Sequence, residues 1–171
     1  MLTQPPSSVA LSIKQPWAAL VVAGLKTIEI RRWPTDYRGR LLIHASRMPD
    51  ERPKVWRGVP GEIHSLTQRR GGIIGSVELV DCARYDNRNR FQADQHLHWN
   101  DPSWFKEPAL YGFVFSHPEE LCFRPHPGWF RFFQVETQMP VFILGQGKMS
   151  PSWCRFFLVE TLNDSPLLDA T

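Results

Sequence analysis

The sequence predicts an α+β domain in which a mixed β-sheet forms a barrel and a few short helices flank it. Two observations support this fold class. Roughly six or seven short segments are rich in apolar and aromatic residues and are separated by turn residues, so that predicted strands outnumber helices. The chain has 171 residues, 42% hydrophobic and 12% aromatic, which suits one domain with its own core.

The first elements are the most clearly marked. Residues 1–8 are predicted to be a polar tail, and residues 9–13 a short strand. A helix then begins at Pro16, because a first-turn proline costs no hydrogen bond, and carries Trp17 on its apolar stripe. Gly24 is a plausible end for this helix.

The remaining chain alternates strands with polar excursions. Residues 47–72 contain many charges, prolines and glycines, and predict a long excursion with one short helix near residues 62–70. A second helix is predicted near residues 91–98. Further strands are predicted at residues 26–33, 41–46, 73–83, 110–117, 121–125 and 128–137.

One segment is repeated near the end of the chain. The sequence GWFRFFQVET at 128–137 recurs as SWCRFFLVET at 152–161, with its Trp, Arg-Phe-Phe and Val-Glu-Thr in register. Two near-identical strands cannot fill one place in a sheet. We therefore predict a domain over 9–137 and a C-terminal extension over 138–171, whose apolar side chains favour docking or a homodimer through the extension.

Charge is distributed unevenly along the chain. Residues 1–90 hold 15 Lys and Arg against 8 Asp and Glu, whereas residues 91–171 hold 5 against 9. A basic half is compatible with phosphate binding, and solvated surface loops are the alternative.

Three widely spaced cysteines without a CxxC pair favour a reducing compartment. We find no signal-peptide pattern or long apolar run, and predict a cytoplasmic protein that does not bind membranes.

The predicted strand at 26–33 carries an unusual set of polar residues. Thr27, Glu29 and Arg31 project from one of its faces, and Lys26 lies at its junction with the preceding helix. If this face lines a cleft, the four side chains form a polar site. A salt-bridged outer face of the sheet is the alternative.

Other candidates lie near turns. Lys14 and Trp17 flank the start of the helix, where an indole can stack on a base or anchor the core. Arg38 follows a turn and suits phosphate contacts, whereas His44 alone is more often structural. The histidines of 96–98 lack further ligands at a characteristic spacing, and no phosphate-binding loop or dinucleotide motif occurs. We predict no metal and no cofactor.

Three motifs resemble the opening of a known family. S-I-x-Q-P-W stands at 12–17, G-x-K-x-x-E-x-R at 24–31 and Y-R-G-x-L-L-I-H-A at 37–45. In this order they closely resemble the ASCH family, the activating-signal-cointegrator homology domains, and the likeness extends over about residues 9–136. The resemblance implies a PUA-like β-barrel with flanking short helices, and a cleft near the second motif.

The resemblance also implies that RNA or a modified nucleoside binds in this cleft. Some small bacterial relatives remove the acetyl group from N4-acetylcytidine with a K-T-I-T-I-R motif, whose second Thr is the proposed nucleophile. Here Glu29 takes that position. An amidohydrolase using Lys26 and Glu29 is therefore an alternative, with a different mechanism. A protein-interaction module is a third. The expected ligand contacts are Lys14, Gln15, Trp17, Lys26, Thr27, Glu29, Arg31 and Arg38.

Overall fold

The computed structural model describes residues 7–136, and the predicted extension at 138–171 lies outside the described residues. The strands are β1 Ser7–Ile13, β2 Ile28–Arg31, β3 Gly39–Ala45, β4 Gly72–Tyr85, β5 Leu110–Pro125 and β6 Phe132–Glu136. The helices are α1 Trp17–Val22, α2 Pro53–Trp56, α3 His64–Thr67, α4 Arg88–Ala93 and α5 Gln95–His98, with 3₁₀ turns at Gly61–Ile63 and Pro102–Trp104.

The six strands form one mixed sheet in the order β2-β5-β4-β3-β1-β6. Only the β1–β3 pair is parallel; the other neighbours within the described chain are antiparallel. The predicted α+β fold with a mixed sheet is confirmed. β1 begins inside the predicted tail of 1–8, because Ser7 and Ser8 pair with Glu136 and Val135 of β6.

The sheet curls into a half-barrel, and aromatic rings connect its two edges. Trp33, just after β2, packs edge-on against Phe132 of β6 with ring centroids 5.1 Å apart. The same indole packs against Phe113 of β5 at 4.8 Å. These contacts bring the edge strand β2 close to β1 and β6, which lie at the other edge of the sheet.

Helix α1 packs against the sheet, and all six of its residues are buried. Gln15, immediately before it, is also fully buried. Its side-chain amide donates to the carbonyls of Leu66 and Arg69, at 2.9 Å each, and accepts from the backbone N–H of Ala19 at 3.0 Å. Gly24 ends this segment with φ +74°, a conformation that favours glycine. These bonds fix the turn that carries Lys14.

Two predictions about the later elements were wrong. The excursion after β3 contains two short α-helices, α2 and α3, rather than one. The separate strands predicted at 110–117 and 121–125 form the single strand β5, because Glu119 and Glu120 continue the pairing with β4. No helix in the described part is long and apolar enough to cross a membrane.

Candidate functional site

A cleft of about 830 Å³ opens where the ends of several elements meet. We call it the main cleft. Side chains of β1, β2 and β3 form part of its wall, and the loops after β3 and before β6 complete it. Its principal lining residues are Ser12, Lys14, Trp17, Glu29, Arg31, His44, Arg47, Asp50, Arg52, Trp129, Phe130 and Arg131.

Three of the predicted polar side chains lie together beside this cleft. Glu29 lies between two cations, with its Oε2 3.4 Å from Lys26 Nζ and its Oε1 3.5 Å from Arg31 Nη2. Glu29 and Arg31 line the main cleft, whereas Lys26 lies behind them. The three charged groups are therefore neighbours, as expected, but only Glu29 and Arg31 reach the cleft.

Lys26 is the most deeply buried of the three, at 1% exposure. Its ammonium donates to the carbonyl oxygens of Ile28, at 2.7 Å, and of His98. It also lies 5.1 Å from the centre of the Trp17 ring. Burial lowers the pKa of Lys26 to about 8, although the neighbouring carboxylate of Glu29 acts in the opposite direction.

A buried donor of Arg31 lacks an acceptor in the part of the chain that the structure describes. Its Nη2 donates to the carbonyl of Ser12 at 2.8 Å, which ties β2 to β1 across the half-barrel. Its Nε is buried and has no hydrogen-bond partner within residues 7–136. A buried donor without a partner costs about 1–3 kcal/mol, so an acceptor on a ligand would relieve this cost.

Aromatic and charged side chains from helix α1 and from the excursion after β3 form a further wall of the main cleft. Asp50 Oδ2 accepts from the indole N–H of Trp17 at 3.0 Å and forms an ion pair with Arg52. The guanidinium of Arg52 lies 3.8 Å above the ring of Trp104. Burial alone would raise the pKa of Asp50, but hydrogen bonds from Arg52 and Trp17 outweigh it and lower that pKa to about 2.

His44 helps to hold the segment that precedes β6. Its ring nitrogens lie 3.0 Å from Ser12 Oγ and 2.9 Å from the carbonyl of His126. Burial lowers the pKa of His44, which favours the neutral ring. The main chain at Gly128 passes so close that a Cβ there would stand 2.5 Å from His44 Cε1. His44 is therefore a structural residue that also borders the cleft.

The rim of the main cleft combines exposed aromatic rings with unpaired cations. Trp129 is 71% exposed and Phe130 84% exposed. Lys14, Arg47 and Arg131 also line the cleft, and none of these three forms an ion pair with another described residue. Stacking surfaces beside free cations are the combination that binds single-stranded nucleic acids.

Four of the residues expected to contact a ligand do not line the main cleft: Lys26, which lies behind Glu29 and Arg31, and three residues that lie elsewhere. Gln15 is fully buried and bonded to main chain. Thr27 precedes β2, where its N–H and C=O bond to Leu97 and Phe115. Arg38 is exposed and pairs with Asp81 at 3.1 Å. None of the three lines the main cleft.

Sequence reasoning missed several residues that the structure brings to the cleft. Arg47, Asp50 and Arg52 belong to the excursion after β3, and the segment 129–131 was assigned to a strand. Arg131 has φ +53°, so the extended strand starts only at Phe132. The Pro-Gly pair at 127–128 was the available signal for a turn at this position.

The histidines near α5 do not form a metal-binding group with their neighbours. His98 is buried and bonds to the carbonyl of Phe91 at 2.7 Å, while His96 lies near the carbonyl of Ala93 at 3.2 Å. Across residues 7–136, no group of three or more His, Cys, Asp or Glu side chains is placed to hold a metal ion.

The motifs that build this cleft are those of one family. The ASCH domain model matches residues 11–120, which is more than half of the chain. The chain belongs to the ASCH domain family. The resemblance seen in the sequence is thereby confirmed, and the matched residues run from the end of β1 through β2, β3 and β4 into β5.

The curated relatives of this ASCH domain are much longer proteins. It is 37% identical over 81 residues to activating signal cointegrator 1 of Homo sapiens, a match that covers 42% of this chain and 14% of the human protein. The Mus musculus protein of the same name matches equally well over the same shares. The chain therefore corresponds to a small part of these relatives.

A solved structure supports the same fold. The crystal structure of ASCH from Zymomonas mobilis superposes with a TM-score of 0.50 and covers 69% of this chain and 73% of its own. Sequence identity is 17%, so this likeness concerns the fold alone. The PUA-like architecture expected from the ASCH motifs is confirmed.

Lys26 and Glu29 hold each other in place beside the main cleft. An ammonium has three N–H donors, and Lys26 has the carbonyls of Ile28 and His98 and the carboxylate of Glu29 around it. The carboxylate is itself held between two cations, Lys26 and Arg31. The pair orients Arg31, whose guanidinium reaches the cleft.

Proposed function

We propose that this ASCH domain binds single-stranded RNA, or a nucleoside-like ligand, in the main cleft. The observation that carries the proposal is the rim, where two exposed rings stand beside three cations without ion-pair partners among the described residues. The lining holds Lys14, Arg31, Arg47, Arg52 and Arg131 against the carboxylates of Glu29 and Asp50. This leaves an excess of positive charge for a polyanion.

Each part of the cleft supports a distinct contact. Bases stack on Trp129 and Phe130, and the free cations Lys14 and Arg47 bind phosphates. Inside the cleft, Glu29 accepts hydrogen bonds from an exocyclic amine, and Arg31 Nε donates to a base or phosphate oxygen. The volume of about 830 Å³ accommodates a nucleotide-sized group.

Fluorescence anisotropy of the full chain with a labelled mixed-sequence RNA of about ten nucleotides tests this proposal. The double variant Lys14→Ala/Arg47→Ala should bind RNA more weakly. A plot of the logarithm of the association constant against the logarithm of the salt concentration should also become less steep, by about 0.7 for each lost phosphate contact. The matched control Arg84→Ala/Arg88→Ala removes the same charge from exposed positions that do not line the cleft and should keep the slope.

The aromatic part of the proposal has a different signature. Trp129→Ala should weaken binding by about 1–3 kcal/mol at every salt concentration and leave the salt slope unchanged. If the cationic variant and its control bind RNA alike, the cleft is not the RNA site. If the chain binds no RNA at any salt concentration, the proposal fails, and the exposed rings favour a protein-interaction surface instead.

A further inference from the structure

A second, smaller cavity adjoins the main cleft. It has a volume of about 500 Å³, and we call it the side pocket. It shares Ile30, Arg31, Arg52 and Asn100 with the main cleft, so these four residues form a common wall. A ligand that fills the main cleft therefore has a direct continuation into the side pocket.

The side pocket has the charge of an anion site. Arg31, Arg32, Arg52 and Lys106 line it, and no Asp or Glu is among its lining residues. Two of these cations already pair with carboxylates that belong to the main cleft. Arg32 and Lys106 are exposed and form no ion pair with any other described residue.

The common wall also contains the buried donor that lacks a partner. Arg31 Nε has no hydrogen-bond acceptor among the described residues, although the other end of its guanidinium is fixed by Ser12 and Glu29. Buried donors are nearly always satisfied in folded proteins, and an acceptor on a bound ligand would satisfy this one. A phosphate oxygen accepts a strong, charge-assisted hydrogen bond from a guanidinium.

We propose that the side pocket binds the phosphate that links the nucleoside in the main cleft to its neighbour. The proposal rests on the function proposed above and narrows the ligand to a dinucleotide or longer single strand, in preference to a free nucleoside. Arg32 and Lys106 contact the phosphate by charge, and Arg31 stands between the base site and the phosphate site.

Competition for the labelled RNA tests the proposal with defined probes. The competitors are the four ribonucleosides, the same nucleosides with inorganic phosphate, and the four dinucleoside monophosphates made of one base. A dinucleotide should compete about tenfold or more better than its nucleoside, as expected for a hydrogen-bonded charged contact. Free phosphate should not reproduce this gain, because only the linked phosphate is held next to the base.

The variant Arg32→Ala/Lys106→Ala should remove most of the dinucleotide advantage and leave competition by nucleosides unchanged. Arg84→Ala/Arg88→Ala, with the same loss of charge, should keep the advantage. Equal competition by nucleosides and dinucleotides in the unaltered chain, or an advantage that survives in Arg32→Ala/Lys106→Ala, would overturn the proposal. If the labelled RNA does not bind at all, the proposed function itself has failed, and the two failures are therefore distinguishable.

Discussion

Replacing Lys26 by methionine should remove a pH dependence of stability that this side chain creates. Burial lowers the pKa of Lys26 in the folded protein from 10.5 to about 8. In the unfolded chain a lysine keeps its ordinary pKa of about 10.4. Between these two values the unfolded chain binds more protons than the folded protein, so the free energy of unfolding must rise with pH across this window.

The size of the effect follows from the two pKa values. They differ by about 2.5, and each unit corresponds to about 1.36 kcal/mol, so the buried charge costs about 3 kcal/mol below pH 8. Between about pH 7.5 and about pH 9.5 the free energy of unfolding should rise by about 2 kcal/mol. The measurement stops at about pH 9.5 because burial raises the pKa values of Tyr37 and Tyr85. At higher pH these tyrosines lose their protons more easily in the unfolded chain, which lowers the free energy of unfolding.

Urea unfolding of the full chain, followed by tryptophan fluorescence, measures this quantity at both pH values. Lys26→Met should lack the rise, since methionine has no proton to exchange. Lys54→Met is the matched control, because the Lys54 side chain is 71% exposed and should leave the rise intact. Parallel pH dependences in the unaltered chain and in Lys26→Met would refute the reasoning.

Two further substitutions test the walls of the main cleft. Asp50→Asn should lower the free energy of unfolding at pH 7 by about 1–3 kcal/mol, because charge-assisted bonds to Arg52 are lost. Since the pKa of Asp50 is lowered from 3.8 to about 2, its contribution is lost as pH falls through this range, and acid titration of Asp50→Asn should show a smaller decline. Gly128→Ala should cost about 1–3 kcal/mol in urea unfolding and weaken RNA binding, because the added Cβ meets His44 at 2.5 Å. Gly61→Ala is the control, because a Cβ at Gly61 meets no atom within 4 Å, and it should change neither the free energy of unfolding nor RNA binding. If Gly61→Ala caused the same losses as Gly128→Ala, the contact with His44 would not be their cause.

Local periodicity was sufficient to predict the charged face of β2. Glu29 and Arg31 are two residues apart in an extended strand, so both reach the same side, and the structure brings their side chains together. The same rule failed for Thr27, because β2 begins only at Ile28 and the preceding backbone bonds elsewhere. Side chains alternate between the two faces of a sheet only within the residues that form the strand, and Thr27 lies before the first of them.

Burial and long-range contacts were not accessible to this kind of reasoning. Lys26 was expected to reach the ligand, but two backbone carbonyls and Glu29 hold it inside the protein. Arg47 and Arg52 come from a segment without periodicity, and their position depends on how the excursion after β3 folds back. Arg38 had the chemistry of a phosphate ligand, yet its turn lies away from the main cleft.

The pairing of β1 with β6 has a consequence for how this fold can be combined with other sequences. Ser7 stands opposite Glu136, so the first and last described residues are neighbours across two antiparallel strands, about 5 Å apart at Cα. Because its two ends are close together, such a unit can be inserted into a loop of another protein without moving apart the two residues that it joins. Insertion then adds little to the entropy cost of closing the host loop.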